Sequence, residues 1–365
     1  MKILYFAPVY YSDMKQRPQQ IADLLAKKHQ VFYIEPTVSA VRQLLKGGER
    51  SCLGAQTVIH RQLKVIRPNG MFTFHKSVEI LDLAGINNVW ELLQLRDMIR
   101  DCDVVWVGYS GWYTLVRHIR HKPVIFDKMD EEDMLVSSEL LKKTLRRNKK
   151  KMLEIASVII VTCKKFYTDL CMTKKPVYRI PNAVPERFMD VGWEEEGTGP
   201  VKTIGYIGTI SEWFDMEIVD ELLAIDPGYE IVLVGRNGLP EHKNPRVTYL
   251  GVRDYSQLPG ILKGFDVCLY NFKRSEWLDT INPVKLYEYL AANKPVLAVK
   301  SAETLLLKDY LMLYEDKSEV RSYMTRKIKK PFANEREREQ FLKQNSWQNR
   351  VEQIYKILDG LEEKR

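Results

Sequence analysis

The sequence predicts an α/β protein made of two successive doubly wound domains, each built on a parallel β-sheet. Its 365 residues are more than twice the roughly 150 residues of an average domain. Short runs rich in Val, Ile and Tyr alternate with longer segments of helical periodicity, the pattern of parallel strands joined by crossover helices. Residues 192–202 interrupt this alternation with Gly, Pro and Glu, so we expect the domain boundary there.

The predicted strands follow one another at regular intervals in both halves. In the first half they are residues 2–8, 31–36, 63–68, 103–109, 123–128, 157–163 and 177–181. In the second half they are residues 203–208, 230–235, 247–251, 267–272, 295–299 and 311–314. Helices fill most intervals. Residues 19–28, for example, place Ile21, Leu24 and Leu25 on one face, as expected of a helix packed on a sheet.

Composition excludes several classes of protein. Apolar residues make up 45% and charged residues 28% of the chain, which is typical of a globular protein and not of a disordered or fibrous one. Nowhere do about 18 consecutive apolar residues occur, so we expect no membrane-spanning helix. The apolar run at residues 1–8 is too short for a signal peptide, which favours a cytoplasmic location.

Neither a disulfide framework nor a metal site is expected. The cysteines are odd in number and include no Cys-x-x-Cys pair; they are Cys52, Cys102, Cys163, Cys171 and Cys268. The single Asp-x-Asp, formed by Asp101 and Asp103, precedes a strand, whereas ligands of such sheets bind where the strands end. We interpret both aspartates as helix-to-strand boundary residues and predict no metal requirement.

Residues 282–298 predict a capped helix followed by a buried strand. Asn282 can cap the helix and Pro283 suits its first turn. Asn293 and Pro295 end the helix before the strand begins.

The start of this helix has the chemistry of a diphosphate site. The free backbone N–H groups of Val284 and Lys285, together with the Lys285 ammonium, suit an anionic ligand. Arg236, directly after another strand, can add positive charge. One turn into the helix, the Glu288 carboxylate can accept hydrogen bonds from ribose hydroxyls. The alternative is a well-capped surface helix with an exposed Glu288.

The same segment resembles a known family. Residues 285–296, Lys-Leu-Tyr-Glu-Tyr-Leu-Ala-Ala-Asn-Lys-Pro-Val, resemble the donor-nucleotide motif of bacterial GT-B glycosyltransferases, in which a Glu near the helix start binds the nucleotide ribose. Further segments match in the expected order: residues 156–163, then 180–185 with Phe188, then 205–209, then 250–253. The resemblance covers most of the chain and implies the GT-B fold, with two Rossmann-like domains facing a central cleft.

The resemblance assigns a role to each predicted domain. Residues 1–190 would bind the acceptor, residues 200–345 the nucleotide-sugar donor, and residues 346–365 would form a C-terminal helix that packs back on the first domain. No cofactor beyond the donor is implied. UDP is favoured, although the turn at 252–253 does not exclude GDP. The expected donor-binding residues are Gly208, Thr209, Arg236, Val252, Arg253, Asn282, Pro283, Val284, Lys285 and Glu288.

The N-terminal half of the sequence resembles a narrower group of transferases within this family. Residues 8–11, 16–22 and 126–131 are similar to transferases of the teichuronic-acid type and to the glucuronosyltransferases of exopolysaccharide synthesis. The similarity implies a role in cell-surface or exopolysaccharide assembly, with a saccharide or lipid-linked saccharide as acceptor. The candidate acceptor-binding residues are Tyr10, Gln16 and Arg17. Alternatively, Arg17 pairs with a neighbouring acid and only holds its loop.

One departure from the family pattern concerns the chemistry. Retaining GT-B enzymes often carry a second Glu upstream of the one at 288, but that position is Thr280 here. Asp279 is adjacent and Glu276 is close, so retention and inversion both stay open.

An inverting reaction would need a general base in the first domain. Asp130 is the best candidate and Asp127 the second, because both follow a predicted strand at its carboxyl end. The alternative is that the acids of residues 130–133 only favour the start of the next helix through its dipole.

A basic segment contributes to the formal net charge of +8. Between residues 142 and 151 the basic residues are Lys142, Lys143, Arg146, Arg147, Lys149, Lys150 and Lys151. Leu141, Leu145 and Met152 lie on one stripe of the same predicted helix, so the cations are expected to point outward. At about 1 kcal/mol per cation, this face would hold the protein at the inner face of an anionic membrane. A solvated face is the alternative.

Nucleic acid is not an expected partner, because the basic helix carries no interleaved aromatic groups and no nucleic-acid module is recognisable. Sequence and resemblance together predict a metal-independent hexosyltransferase that uses a nucleotide sugar. Two alternatives remain. A nucleotide-sugar epimerase on the same fold would need no acceptor, and Thr280 leaves room for a non-catalytic nucleotide-sugar-binding partner.

Overall fold

The computed structural model describes residues 1–13, 15–39, 56–70, 85–119, 121–136, 138–189 and 200–363. The chain divides into two compact units. The first comprises residues 1–180 and 351–365, and the second comprises residues 181–350. Most of the segment expected as the domain boundary, 192–202, lies outside the described residues, as does Cys52.

The strands of the first unit are β1 Lys2–Phe6, β2 Gln30–Ile34, β3 Val38–Ser39, β4 Gln56–His60, β5 Leu63–Ile66, β6 Asn69–Gly70, β7 Val104–Val107, β8 Val124–Lys128, β9 Val158–Val161 and β10 Val177–Arg179. Its helices are α1 Arg17–Leu25, α2 Asn88–Asp101, α3 Tyr113–Val116, α4 Glu139–Ile155 and α5 Lys164–Leu170. Two 3-10 helices cover Ser110–Trp112 and Glu132–Leu135.

The strands of the second unit are β11 Thr203–Ile207, β12 Glu230–Val234, β13 Val247–Gly251, β14 Val267–Tyr270, β15 Val296–Val299 and β16 Met312–Tyr314. Its helices are α6 Glu186–Met189, α7 Met216–Ile225, α8 Leu258–Lys263, α9 Val284–Ala291, α10 Lys317–Met324 and α11 Glu335–Gln344. Two 3-10 helices cover Leu278–Thr280 and Thr304–Tyr310. The last helix, α12 Trp347–Glu362, begins in the second unit and continues in the first.

The main sheet of the first unit has the strand order β10-β9-β8-β7-β1-β2-β5-β4 among the described residues. All neighbours are parallel except β4, which runs antiparallel to β5. This edge strand is missing from the expectation because residues 57–60 are exposed and its Gln-Thr-Val-Ile-His sequence lacks the buried apolar run of the others. The chain turns from one side of the sheet to the other between β1 and β7, so the loops after these two strands flank the topological switch point.

The sheet of the second unit is wholly parallel in the part of the chain described, with the order β13-β12-β11-β14-β15-β16. Its switch point lies between β11 and β14. The expected doubly wound α/β architecture is confirmed for both units, with the antiparallel β4 as the correction.

Buried aromatic and aliphatic side chains hold each sheet to its helices. In the first unit, the Tyr5 ring stacks on those of Tyr33 and Trp106, with centroids 5.5 and 5.6 Å apart. Near-continuous burial along each central strand explains why the strands are readable from sequence: both faces are covered, as in other parallel sheets. Within the described ranges, no helix is both long and apolar enough to cross a membrane.

Candidate functional site

Three loops meet at the carboxyl edge of the second sheet through their glycines. The Gly208 N–H donates to Val234 O (2.8 Å), and the Gly235 N–H donates to Gly251 O (2.9 Å). Gly235 has φ +137°, and a Cβ there would lie 2.1 Å from the Gly208 carbonyl oxygen. Only glycine satisfies both conditions, so the loops after β11, β12 and β13 form one backbone surface.

Helix α9 begins at this same edge without a side-chain cap. Pro283 is its N-cap residue, with extended backbone, and the proline side chain cannot accept from the N-terminal amides. The expected capping by Asn282 is wrong, because that side chain is engaged elsewhere. It accepts from the Asn182 N–H (2.7 Å) and donates to Glu303 (2.5 Å). The helix therefore offers its first N–H groups to an anion.

The far end of α9 follows the expectation. Asn293 adopts φ +51° directly after the C-cap residue Ala292, the left-handed conformation that ends many helices. Pro295 then leads into β15.

Glu288 is buried, with only 2% of its surface exposed. Its carboxylate accepts a hydrogen bond from Lys285 Nζ at 3.0 Å, and Lys285 keeps 28% of its side chain exposed. The alternative of a solvent-exposed Glu288 is therefore wrong. A carboxylate offers about four lone-pair sites, so the Glu288 carboxylate retains acceptor capacity for a further donor such as a hydroxyl group.

Tyr255, which the sequence analysis missed, lies beside this carboxylate. Burial, the Glu288 charge and a hydrogen bond to Glu288 raise the pKa of Tyr255, while Arg187 acts in the opposite direction. The Arg187 guanidinium stacks over the Tyr255 ring at 5.3 Å from its centroid. Thirty-three positions separate residues 255 and 288, so no local pattern could have connected them.

The remaining donor candidates are exposed on the same edge. Thr209, Arg236, Val252 and Arg253 all have exposed side chains, and Val252 is 74% exposed. Their loops are tied together by backbone bonds, including Ile210 N–H to Arg236 O at 2.9 Å. The structure thus brings the turn at 252–253, the glycine loops and the start of α9 to one edge of one sheet.

In the first unit, Arg17 and Asp127 pair with each other inside the protein. The Arg17 guanidinium is 4% exposed and donates to both Asp127 carboxylate oxygens at 2.9–3.2 Å, and to Ile180 O at 2.9 Å. Asp127 is completely buried. The structure therefore realises the alternative interpretation of Arg17. It also corrects the assignment of Asp127 as a base, because this carboxylate is completely buried and paired with a buried guanidinium.

Asp130 is instead exposed on the loop that follows β8. Desolvation by the surrounding protein raises the pKa of Asp130, and the charges of Lys128 and Arg17 act in the opposite direction. Lys128 Nζ, buried over the Phe166 ring, donates to the Asp130 carbonyl at 3.3 Å and to Glu131 at 2.9 Å. Side-chain contacts therefore hold the loop while leaving the Asp130 carboxylate accessible.

The neighbouring acids Glu131 and Asp133 contact cations of α4. Glu131 also binds Lys149, and Asp133 binds Lys149 (3.0 Å) and Arg146 (2.6 Å). Their partners, Arg146 and Lys149, lie in the middle of α4, beyond its first turn. Glu132 and Asp133 also lie in the first turn of the 3-10 helix Glu132–Leu135, as the helix-dipole alternative requires.

Glu132 is a further titratable group that sequence reasoning missed. Its carboxylate accepts from the Ser110 N–H at 2.9 Å and from the Ser110 hydroxyl. Desolvation raises the pKa of Glu132 to about 7, against the opposing effect of these hydrogen bonds. Ser110 follows β7 and Glu132 follows β8, so this contact also lies at the carboxyl edge of the first sheet.

The other two acceptor candidates line the loop after β1. Gln16 caps α1 by a reciprocal hydrogen-bond pair with Gln19, and its side chain is exposed. Tyr10 is partly exposed, and the Arg67 guanidinium stacks on its ring at 4.9 Å. Arg67 was not singled out from sequence, because nothing local marks it.

Position 280 and the Asp-x-Asp have structural contacts. The Thr280 hydroxyl donates to Trp277 O at 2.6 Å, and Asp279 accepts from the Ala302 N–H at 2.7 Å. Asp103 accepts from the Lys2 N–H at 2.6 Å between α2 and β7, as expected of a boundary residue. Among the residues that the structure describes, no group of three or more His, Cys, Asp or Glu is arranged to hold a metal.

The basic helix α4 is only partly available to solvent partners. Lys142 pairs with Glu139 at 2.7 Å, and Arg146 and Lys149 bind the acids described above. The expectation that all of the cations point outward is therefore corrected. The exposed ones outside these pairs are Lys143, Arg147, Lys150 and Lys151.

Solved structures of the same fold match the whole chain. A sucrose-phosphate synthase from Thermosynechococcus elongatus is 14% identical, with a TM-score of 0.71 and 100% coverage of both chains. HepE of Anabaena, solved in complex with UDP, is 15% identical with a TM-score of 0.63, covering 99% of this chain and 100% of HepE. A structure named trehalose-6-phosphate from E. coli, bound with UDP-2-fluoro glucose, is 11% identical with a TM-score of 0.68, covering 98% of this chain and 99% of that one.

Residues 216–356 match the family model described as glycosyl transferase-like. The fold of the chain is thus that of the GT-B glycosyltransferases. Among named proteins the chain is similar to TuaH of Bacillus subtilis (strain 168), whose name places it among glycosyltransferases of teichuronic acid biosynthesis. The two are 23% identical over 319 residues, which cover 80% of this chain and 69% of TuaH. The predicted resemblance to GT-B glycosyltransferases of the teichuronic-acid type is confirmed.

Proposed function

We propose that this protein transfers a hexosyl group from a UDP-sugar to a saccharide or lipid-linked saccharide acceptor in cell-surface or exopolysaccharide biosynthesis. The observation that carries the proposal is the uncapped start of α9 beside the Lys285–Glu288 pair, within the residues that match the glycosyl transferase-like model. Two structural relatives whose names include UDP or a UDP-sugar support the choice of nucleotide.

The donor half of the proposal rests on charge and hydrogen bonding. The diphosphate accepts from the first amides of α9 and from Lys285, and Arg236 adds a positive charge at the same edge. Glu288 accepts from the ribose hydroxyls, and the turn at 252–253 contacts the base. These groups, rather than a metal, stabilise the negative charge that develops as the diphosphate departs.

The acceptor half assigns the proton transfer to Asp130. An acceptor hydroxyl oxygen forms a bond to the anomeric carbon, the bond from that carbon to the diphosphate oxygen breaks, and the hydroxyl proton passes to the Asp130 carboxylate. A pKa raised by desolvation makes this carboxylate a stronger base once it is ionised. Tyr10, Gln16 and Arg67 are proposed to contact the acceptor.

The test combines nucleotide binding with turnover. We expect UDP to bind by calorimetry more tightly than GDP, and a crystal soaked with UDP to show it at the start of α9. Asp130→Asn should keep UDP affinity and lose at least about 100-fold in transfer rate, since general-base catalysis contributes roughly that factor. Asp169→Asn, on an exposed face of α5, is the matched control. EDTA should leave the wild-type rate unchanged.

Other outcomes of these experiments would indicate a different function or contradict part of the proposal. Donor conversion without an acceptor and without free UDP would indicate an epimerase. Binding without turnover on any acceptor would indicate a non-catalytic partner. Near-normal turnover of Asp130→Asn would remove Asp130 from the mechanism, and UDP bound away from α9 would overturn the assignment as a whole.

We also propose a peripheral location at the inner face of the cell membrane. The exposed cations Lys143, Arg147, Lys150 and Lys151 lie on α4, and the exposed apolar side chains of Met134, Leu135 and Leu140 neighbour the start of that helix. Cations attract an anionic leaflet, and apolar side chains can enter its interface. Flotation with anionic but not neutral liposomes supports the proposal, and equal behaviour on both contradicts it.

A further inference from the structure

Two tryptophans stand at the switch point of the second sheet. Trp213 belongs to the loop after β11 and Trp277 to the loop after β14, the two strands that flank this point. Their ring centroids are 5.4 Å apart, with the ring planes inclined by 58°. Ligands of doubly wound sheets bind where the loops of such strands separate.

The two loops are joined by their backbones, so the tryptophan pair has a defined position. The Lys273 N–H donates to Trp213 O at 2.7 Å, and the Asp215 N–H donates to Asn271 O at 2.9 Å. The Thr280 hydroxyl bonds to Trp277 O at 2.6 Å, so the 3-10 turn that leads from Trp277 to α9 is held as well. Only six residues separate Trp277 from the start of that helix.

The hydrophobic core does not bury these two rings completely. Phe214, the next residue after Trp213, is completely buried and packs on Tyr206 at 4.8 Å between centroids. Leu278, the next after Trp277, is 2% exposed. Both tryptophans, in contrast, are partly exposed. The packing role in this loop therefore belongs to Phe214, the neighbour of Trp213.

We propose that Trp213 and Trp277 form an aromatic platform on which the pyranose ring of the nucleotide-sugar donor stacks. This inference rests on the proposed function. The C–H bonds of a pyranose face are apolar and slightly positive, and they pack against the negative face of an aromatic ring. Exposed polar side chains flank the platform and can bind the sugar hydroxyls: Glu212, Lys273 and Glu276.

Thr280 stands where retaining GT-B enzymes often carry a Glu, and the platform compensates for the missing carboxylate. The Thr280 hydroxyl is committed to the Trp277 carbonyl and offers no carboxylate to the sugar. Stacking on the two rings therefore replaces part of the hydrogen bonding that a carboxylate would offer to the sugar hydroxyls. A platform of this kind selects the sugar by the shape of its face, whereas the amides and Lys285 bind the diphosphate of any UDP-sugar.

Calorimetry with UDP, UDP-glucose, UDP-galactose, UDP-N-acetylglucosamine and UDP-glucuronic acid tests the platform. The wild type should bind at least one UDP-sugar with a quench of tryptophan fluorescence that UDP does not cause. Trp213→Ala and Trp277→Ala should weaken binding of that UDP-sugar about 10-fold, the effect expected of a lost stacking contact, and change UDP affinity less than 2-fold. Trp277→Phe should retain most of the affinity, since it keeps an aromatic face.

The control is Trp90→Ala, which removes a 44% exposed tryptophan from α2 in the first unit and should leave all affinities unchanged. Equal losses of UDP and UDP-sugar affinity in Trp213→Ala and Trp277→Ala would show a packing role and overturn the platform. So would unchanged affinity in both variants, or a wild type that binds UDP but shows no UDP-sugar-dependent quench. A wild type that binds neither UDP nor a UDP-sugar would overturn the proposed function together with the platform.

Discussion

The two sheets use charged residues at their carboxyl edges in opposite ways. In the second unit, Lys285 and Glu288 pair at an uncapped helix start, and Lys285 remains partly exposed. In the first unit, Arg17 and Asp127 pair in the interior, with exposures of 4% and 0%. A charged residue after a strand is therefore available to a ligand only where no opposite charge from another element removes it from solvent.

Four predictions test this contrast, beginning with the largest effect. Asp127→Ala leaves the Arg17 guanidinium buried without its carboxylate, which should lower the free energy of unfolding by about 3–5 kcal/mol. Urea unfolding measures the loss. Asp169→Ala breaks the Lys165–Asp169 pair, which has the same 2.9 Å separation but is half exposed, and should cost less than about 1 kcal/mol. Similar losses in both variants would break the comparison.

Gly235→Ala should have the second-largest effect on the free energy of unfolding. Its φ of +137° and the 2.1 Å approach of a Cβ to Gly208 O force the backbone of two loops apart. We expect a loss of about 1–3 kcal/mol in the free energy of unfolding and weaker UDP binding. Gly260→Ala is the matched control, because it lies in α8 with open space around it and should slightly stabilise the protein. Unchanged UDP affinity in Gly235→Ala would show that the glycine loops do not shape the site.

Lys285→Met should affect UDP binding far more than it affects the free energy of unfolding. Loss of a charge-assisted hydrogen bond should weaken UDP binding about 10-fold or more, while the free energy of unfolding changes little because Lys285 is partly exposed. Lys243→Met, an exposed position before β13 at the opposite edge of the sheet, should leave UDP affinity unchanged. If Lys285→Met lowered stability as much as Asp127→Ala and left UDP affinity intact, the contrast between the two units would be reversed.

The smallest effect is a pH dependence carried by Glu132. Its pKa is about 7 in the folded protein, above the ordinary 4.5, so the folded state holds the proton more tightly than the unfolded state. Its contribution to stability is therefore fully present below about pH 4.5 and is lost as the pH rises through about 7. Glu132→Gln should flatten the dependence of Tm on pH in this window. An identical pH profile in the wild type and the variant would contradict the assignment.

Local patterns predicted much of the fold and part of the site. Apolar runs located the strands because parallel strands are buried on both faces, and Asn293 ended α9 because its backbone can adopt a positive φ. The antiparallel β4 was missed, because residues 57–60 are exposed and carry no such run. Asn282 was taken for a cap because its side chain suits one, but Asn182 and Glu303 occupy it.

Periodicity and motif order alone determined the α/β class, the strand positions and the helix that carries Lys285 and Glu288, since each depends on residues close together in the chain. Tertiary structure alone decided which charges remain available. It paired Arg17 with Asp127 across 110 positions, drew the cations of α4 onto Glu131 and Asp133, and set Tyr255 against Glu288 and Trp213 against Trp277. The reason is physical: burial and opposite charge act through space, and a side chain's freedom to bind a ligand depends on neighbours that the local sequence does not name.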